Sequence, residues 1–192
     1  MTLPRVAVRA ATVAMTVAVA VAAVRAARRG RAAWKASGRP RQRRLNESVQ
    51  SSASRQQVYW LCRDVRRLAQ LVDPRVRVTE VDDVRSNWQI GSVACTVEIT
   101  GDVPELLLSW QVADGPVPHH GRLTLHPAGT ANPAGGGTRI AVQVRYEWPP
   151  RTQDAGIDTG APDRLLRRAL DAIAAQAAAP DRQPARSSGY RG

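Results

Sequence analysis

The stretch Thr138–Trp148, TRIAVQVRYEW, decides the fold. Ile140, Val142, Val144, Tyr146 and Trp148 alternate with polar or small residues, and a period of two predicts a strand with one buried face. Pro149-Pro150 ends it, because proline has no N–H for the ladder. The same period recurs upstream: Leu123 and Leu125 in Gly121–His126, then Leu106, Leu108 and Trp110 in Glu105–Val112. Before these come Val93, Cys95, Val97 and Ile99 in Ser92–Thr100, the short segment Asn87–Ile90, and Val76, Val78 and Glu80. Asp82-Asp83, Gly91, Gly101-Asp102, Asp114-Gly115-Pro116 and the glycine-rich Gly129–Gly137 break the runs at hairpin spacing. Short strands in series with such gaps predict an antiparallel meander.

Farther upstream the period lengthens. Leu45–Ser51 predicts a first strand, and Ser52-Ala53-Ser54 supplies helix caps. Val58, Leu61 and Cys62 within 55–62, and Val65, Leu68 and Leu71 within Asp64–Leu71, predict two short helices, the second ended by Pro74. Downstream, Gln153–Gly160 reads as a loop. Pro162–Ala179 then places Leu166, Leu170 and Ile173 at i, i+4 and i+7, the stripe of an amphipathic helix, with Arg164, Arg167 and Arg168 on its other faces. Pro180 stops it, and 181–192 reads as a polar, disordered tail. The fold class is therefore α+β. A bent antiparallel sheet cannot bury its concave face alone; the long C-terminal helix fills it, and an incomplete fit would leave a cavity.

The formal net charge is +12, a value that taken alone suggests a nucleic-acid partner. Residues 1–44, however, contain all of Arg5, Arg9, Arg25, Arg28, Arg29, Arg31, Lys35, Arg39, Arg41, Arg43 and Arg44 and no acid, so the body is close to neutral and carries no broad basic field for phosphate backbones. Ala10–Val24 is uncharged, and Val6–Val24 would make a short membrane span with Arg9 reaching the headgroups. Three readings stand: a signal anchor, a cleaved signal peptide with Ala18-Val19-Ala20 as a small-residue site, or a helix lying on a membrane or in solution. The dense arginines after the run oppose export. If the segment spans, they place the globular domain in the cytoplasm, because positive flanks stay inside. Against anionic headgroups, each such charge adds about 1 kcal/mol. The sequence thus divides into 1–44, an apolar helix and basic linker directed at a membrane; 45–179, the globular domain; and 180–192, the tail.

The order strand, two helices, strands, long helix resembles the START-like, or helix-grip, superfamily known as SRPBCC. The likeness is carried over Leu45–Pro150 by Ser86-x-Trp88, Glu98-Ile99-Thr100, Pro104, Leu108-Ser109-Trp110, Gly121 with Leu123 and Leu125, Gly137-Thr138, Val142, Val144, Tyr146 and Pro149-Pro150. It looks most like the polyketide cyclase/dehydrase-type branch with its coenzyme Q-binding relatives. The chain departs from that pattern near Cys95, where an aromatic is expected, at Gln111-Val112, and in an expanded Ala128–Gly137 loop. The resemblance implies a hydrophobic ligand between sheet and helix. The candidate lining is Trp88, Leu108, Trp110, Leu123, Val142 and Tyr146 from the strands with Leu166 and Leu170 from the helix.

Other chemistry is not supported. No phosphate-binding glycine loop, Gly-x-Ser-x-Gly elbow or His-Glu-x-x-His motif occurs, and Cys62, Cys95 and the three histidines lack metal-ligand spacing. Both cysteines read as small buried apolar residues. His119, His120, Arg122, Glu98 and Tyr146 are the only acid/base candidates in reach of such a pocket. The His119-His120 pair reads as a surface turn and Glu98 as solvent-facing, which leaves no acid/base pair. No cofactor, metal or nucleic acid is implied. Three functions remain: a membrane-associated carrier of a lipid, quinone or polyketide-like molecule; a cyclase or dehydratase using the same pocket; or an interaction module with a filled core.

Overall fold

The computed structural model describes residues 41–91, 93–115, 117–129, 137–148 and 161–179. The apolar run 6–24, its basic flank as far as residue 40 and the tail 180–192 lie outside the described residues. The chain runs β1 (Arg41–Ser51), α1 (Arg55–Arg63), α2 (Val65–Val72), β2 (Arg77–Glu80), β3 (Arg85–Ile90), β4 (Val93–Val103), β5 (Leu107–Asp114), β6 (His119–Pro127), β7 (Thr138–Trp148) and α3 (Ala161–Ala178). One seven-stranded sheet has the order β1-β7-β6-β5-β4-β3-β2, with every neighbour antiparallel. The strands after α2 form the expected meander, and β1 returns to pair with β7 along its whole length, from Arg41↔Trp148 to Ser51↔Thr138.

Strand β1 begins at Arg41 rather than at Leu45. Arg41–Arg44 carry no apolar alternation to mark them as strand. Their pairing comes from the free edge of β7, a tertiary partner invisible to local pattern. Register shifts in the β4–β5 pair at Thr96/Val97 and Ile99/Gly101 put bulges at the middle of the sheet, where bulges bend strands and increase twist.

The helices follow their sequence signals. Ser54 caps α1 in a reciprocal capping box, its Oγ accepting from the Gln57 amide at 3.2 Å while Gln57 Oε1 accepts from the Ser54 amide at 2.9 Å. Asp64 then caps α2 by accepting from the Arg67 amide. The stripe of α3, Leu166, Leu170 and Ile173, is buried with Ala169, Ala174 and Ala177 against β1, α1 and α2. Burying each leucine or isoleucine contributes roughly 1.5–3 kcal/mol. Polar ties fix the helix at both ends: Ser51 Oγ donates to the Ala174 carbonyl at 2.8 Å, and Arg167 donates to Glu47 Oε2 at 2.9 Å.

Candidate functional site: the concave face

Inward-facing residues fall in cross-strand rows. Leu123 lies between Leu108 and Val142; Gly121 lies between Trp110 and Val144; His119 lies opposite Tyr146. All eight residues predicted to line a ligand site face the interior. Trp88, Leu108, Trp110, Leu123, Val142, Tyr146, Leu166 and Leu170 are each at most 2% exposed. The strand residues and the helix residues belong to one apolar cluster. These eight side chains are thus shielded from solvent. Hollows of about 180, 280 and 310 Å³ occur at the described surface; the first is lined in part by Tyr146 and the third in part by Trp88, and none by Leu166 or Leu170.

The polar atoms within this apolar face distinguish its residues. Trp88 is satisfied internally, its indole N–H donating to Ser86 Oγ at 2.8 Å. Trp110 is not: its Nε1–H is buried and has no acceptor among the described residues. The indole lies across Gly121, which has no side chain to obstruct it. His119 is 5% exposed. Its Nδ1 lies 2.9 Å from the Val117 carbonyl, so Nδ1 carries the proton and Nε2 is left as a bare acceptor. That Nε2 is also buried without a partner among the described residues. Burial pushes the His119 pKa down to about 4, with His120 lowering it further and the Val117 bond opposing, so the ring is neutral at pH 7. Because Trp110 faces Gly121, and His119 lies two residues before that glycine, donor and acceptor are diagonal neighbours, a spacing long side chains bridge. Burial also raises the Tyr146 hydroxyl pKa, against the opposing effect of Arg43.

The sequence expectation of a surface turn at His119-His120 is therefore corrected for His119. Strand β6 starts there, in register with β7, and turns His119 inward and His120 out. Glu98 does face outward, where it accepts from Gln111 Nε2 at 3.1 Å and lies 3.7 Å from Arg85.

A second buried polar group had no sequence signal. Arg63, at the end of α1, is 1% exposed and approaches Asp102 of β4 to 2.9 Å. None of its N–H groups makes a well-directed hydrogen bond among the described residues, so this is a close ion pair without ideal geometry. Burial lowers the Arg63 pKa and Asp102 opposes it. Tyr59 donates to the other Asp102 oxygen at 2.7 Å; desolvation, followed by the Asp102 bond, pushes its phenol up to about 12. The triad joins α1 to the β4–β5 hairpin. Cys62 and Cys95 are free and buried, as expected. Among the described residues no cluster of potential metal ligands occurs, and no helix is long and apolar enough to cross a membrane.

No protein-family profile matches the sequence, and no curated protein sequence matches it. Solved structures do. The chain is similar to a conserved protein of Geobacillus kaustophilus (16% identity, 71% of this chain and 95% of that one, TM-score 0.58). It is similar to norcoclaurine synthase of Thalictrum flavum (14%, 73% and 96%, TM-score 0.55). It is likewise similar to an aromatase/cyclase of Streptomyces (14%, 71% and 94%, TM-score 0.53). A Deinococcus radiodurans protein reaches 22% identity over 70% of this chain and 96% of that one, at a TM-score of 0.52. The chain shares with these structures the helix-grip fold, a curved antiparallel sheet closed by a C-terminal helix.

Proposed function

We propose that this helix-grip chain binds a hydrophobic small molecule between the concave sheet and α3, and that the molecule carries one polar oxygen. The observation behind this reading is the pair of unsatisfied atoms, Trp110 Nε1–H and His119 Nε2, on an otherwise apolar face. A buried polar group without a partner costs about 1–3 kcal/mol, and two from diagonal positions of one sheet face can be met by a single partner that supplies both halves. A hydroxyl does so: its oxygen accepts from Trp110 and its hydrogen donates to His119. The remaining affinity comes from apolar burial. Since the lining side chains are buried, a guest reaches them when α3 lifts from the sheet or when it takes the place of side-chain contacts.

Membrane attachment through residues 6–24 belongs to the same proposal. An apolar guest partitions into bilayers, and the arginine-rich flank would hold the domain on the cytoplasmic side.

Catalysis is the second reading. The structural neighbours named as norcoclaurine synthase and aromatase/cyclase favour it, as does a neutral histidine opposite a buried tyrosine. A histidine titrating near 4 is a weak general base at pH 7, which puts binding ahead of turnover.

Titration of the full chain with 1-naphthol and with naphthalene, followed by tryptophan fluorescence, tests the polar handle. The alcohol should bind about tenfold tighter, the value of one buried hydrogen bond. His119→Phe should remove the difference. Equal binding of the two probes to the unaltered chain would refute the handle.

A further inference from the structure

The outer face of β1, β7 and β6 carries a cluster of cations, several of which form no ion pair among the described residues. Arg44 lies opposite Arg145, and Arg145 lies opposite His120, so one row across three strands is entirely basic or titratable. Arg122 and Arg139 extend the patch on the same face, and all five side chains are exposed. Among the described residues, Arg44, Arg139 and Arg145 form no ion pair, and Arg122 donates only to Gln143. Glu147, at the end of β7 opposite Gln42, is the one acid on this face of the three strands. Like charges directly opposite in a sheet are destabilising, so this row does not serve the fold. A hollow of about 180 Å³ at the end of β6 and β7 adjoins the patch; it is lined by His120, Arg145 and the acid Glu147 and also by the inward-facing His119 and Tyr146.

We infer that this face docks on an anionic lipid surface. Charge complementarity selects an anionic partner. Continuity along the chain selects the membrane: β1, the edge strand that carries Arg44, follows directly in sequence on the arginine-rich flank of the apolar run. Juxtamembrane clusters of this kind bind acidic headgroups, and the attraction falls with salt. The inference rests on the membrane attachment proposed above, and it fixes the orientation of the domain: the outer sheet face meets the bilayer and α3 faces away.

The test is flotation of the full chain with vesicles of phosphatidylcholine, alone or containing phosphatidylserine. Arg139→Gln with Arg145→Gln removes two charges from the patch. Arg77→Gln with Arg168→Gln removes two from elsewhere, leaving the net charge equal. The patch pair should lose on the order of fivefold in affinity for the acidic vesicles per arginine removed, and the control pair should bind like the parent chain. Equal losses in both pairs, or none in either, would overturn the docking face. A patch pair that keeps its vesicle affinity but loses affinity for single-stranded RNA would instead assign the face to nucleic acid. Neutral vesicles report separately on the apolar run: a parent chain that fails to float with them refutes the attachment, whatever the charge variants do.

Discussion

Trp110 lies so close over Gly121 that a Cβ built on the glycine would fall 2.4 Å from the indole Cζ2. The glycine is required for space, since the indole and its unsatisfied N–H occupy the place of a side chain on β6. Gly121→Ala should therefore destabilise the domain by about 1–3 kcal/mol, the cost of overpacking. Denaturant unfolding measures this, and a shift in tryptophan emission should accompany it as the indole moves. An unchanged midpoint would mean the indole has room to retreat.

The buried histidine sets a pH dependence. In the unfolded chain His119 titrates near 6.5; in the folded protein it titrates near 4. Between these values the unfolded state binds more protons, so stability falls as pH drops from about 6.5 to about 4 and is flat with respect to this group above that window. The full loss is at most about 3 kcal/mol. His119→Phe should flatten this part of the stability profile; an undiminished slope would place its origin in other groups.

The Arg63–Asp102 pair predicts an asymmetry. Asp102→Ala leaves a buried guanidinium uncompensated and should cost about 3–5 kcal/mol. Tyr59→Phe removes one hydrogen bond to the same carboxylate and should cost about 1 kcal/mol. Because the three share one network, the double variant should be less destabilised than the sum, as a double-mutant cycle would show.

Cys62 and Cys95 should resist modification. Burial pushes both thiols up to about 12, with Asp114 adding to the effect at Cys95. Neither offers appreciable thiolate at pH 8. Native protein should react slowly with a thiol reagent and take up two equivalents on unfolding; fast native labelling would show that the core opens readily.

Much of the fold was legible because its signals are local. Ile140 to Tyr146 alternate on β7, Leu166 to Ile173 form a stripe on α3, and Ser52-Ala53-Ser54 supplies the cap of α1. The unread parts depend on partners distant in sequence. Arg41–Arg44 read as linker because only β7 makes them strand. His119 read as a turn because only its register with Tyr146 turns it inward. The burial of Arg63 had no local signal because its partner Asp102 lies far along the chain. The candidate lining was legible as apolar positions facing one way; its polar feature, the Trp110 and His119 pair, was not, since an unsatisfied atom is a property of packing.

The most direct test is native mass spectrometry of the full chain extracted in mild detergent. A bound apolar, oxygen-containing molecule should be retained by the parent chain and depleted when Trp110→Phe and His119→Phe are combined. A parent chain that flies at its bare mass, with the folded domain intact, would contradict the proposed binding.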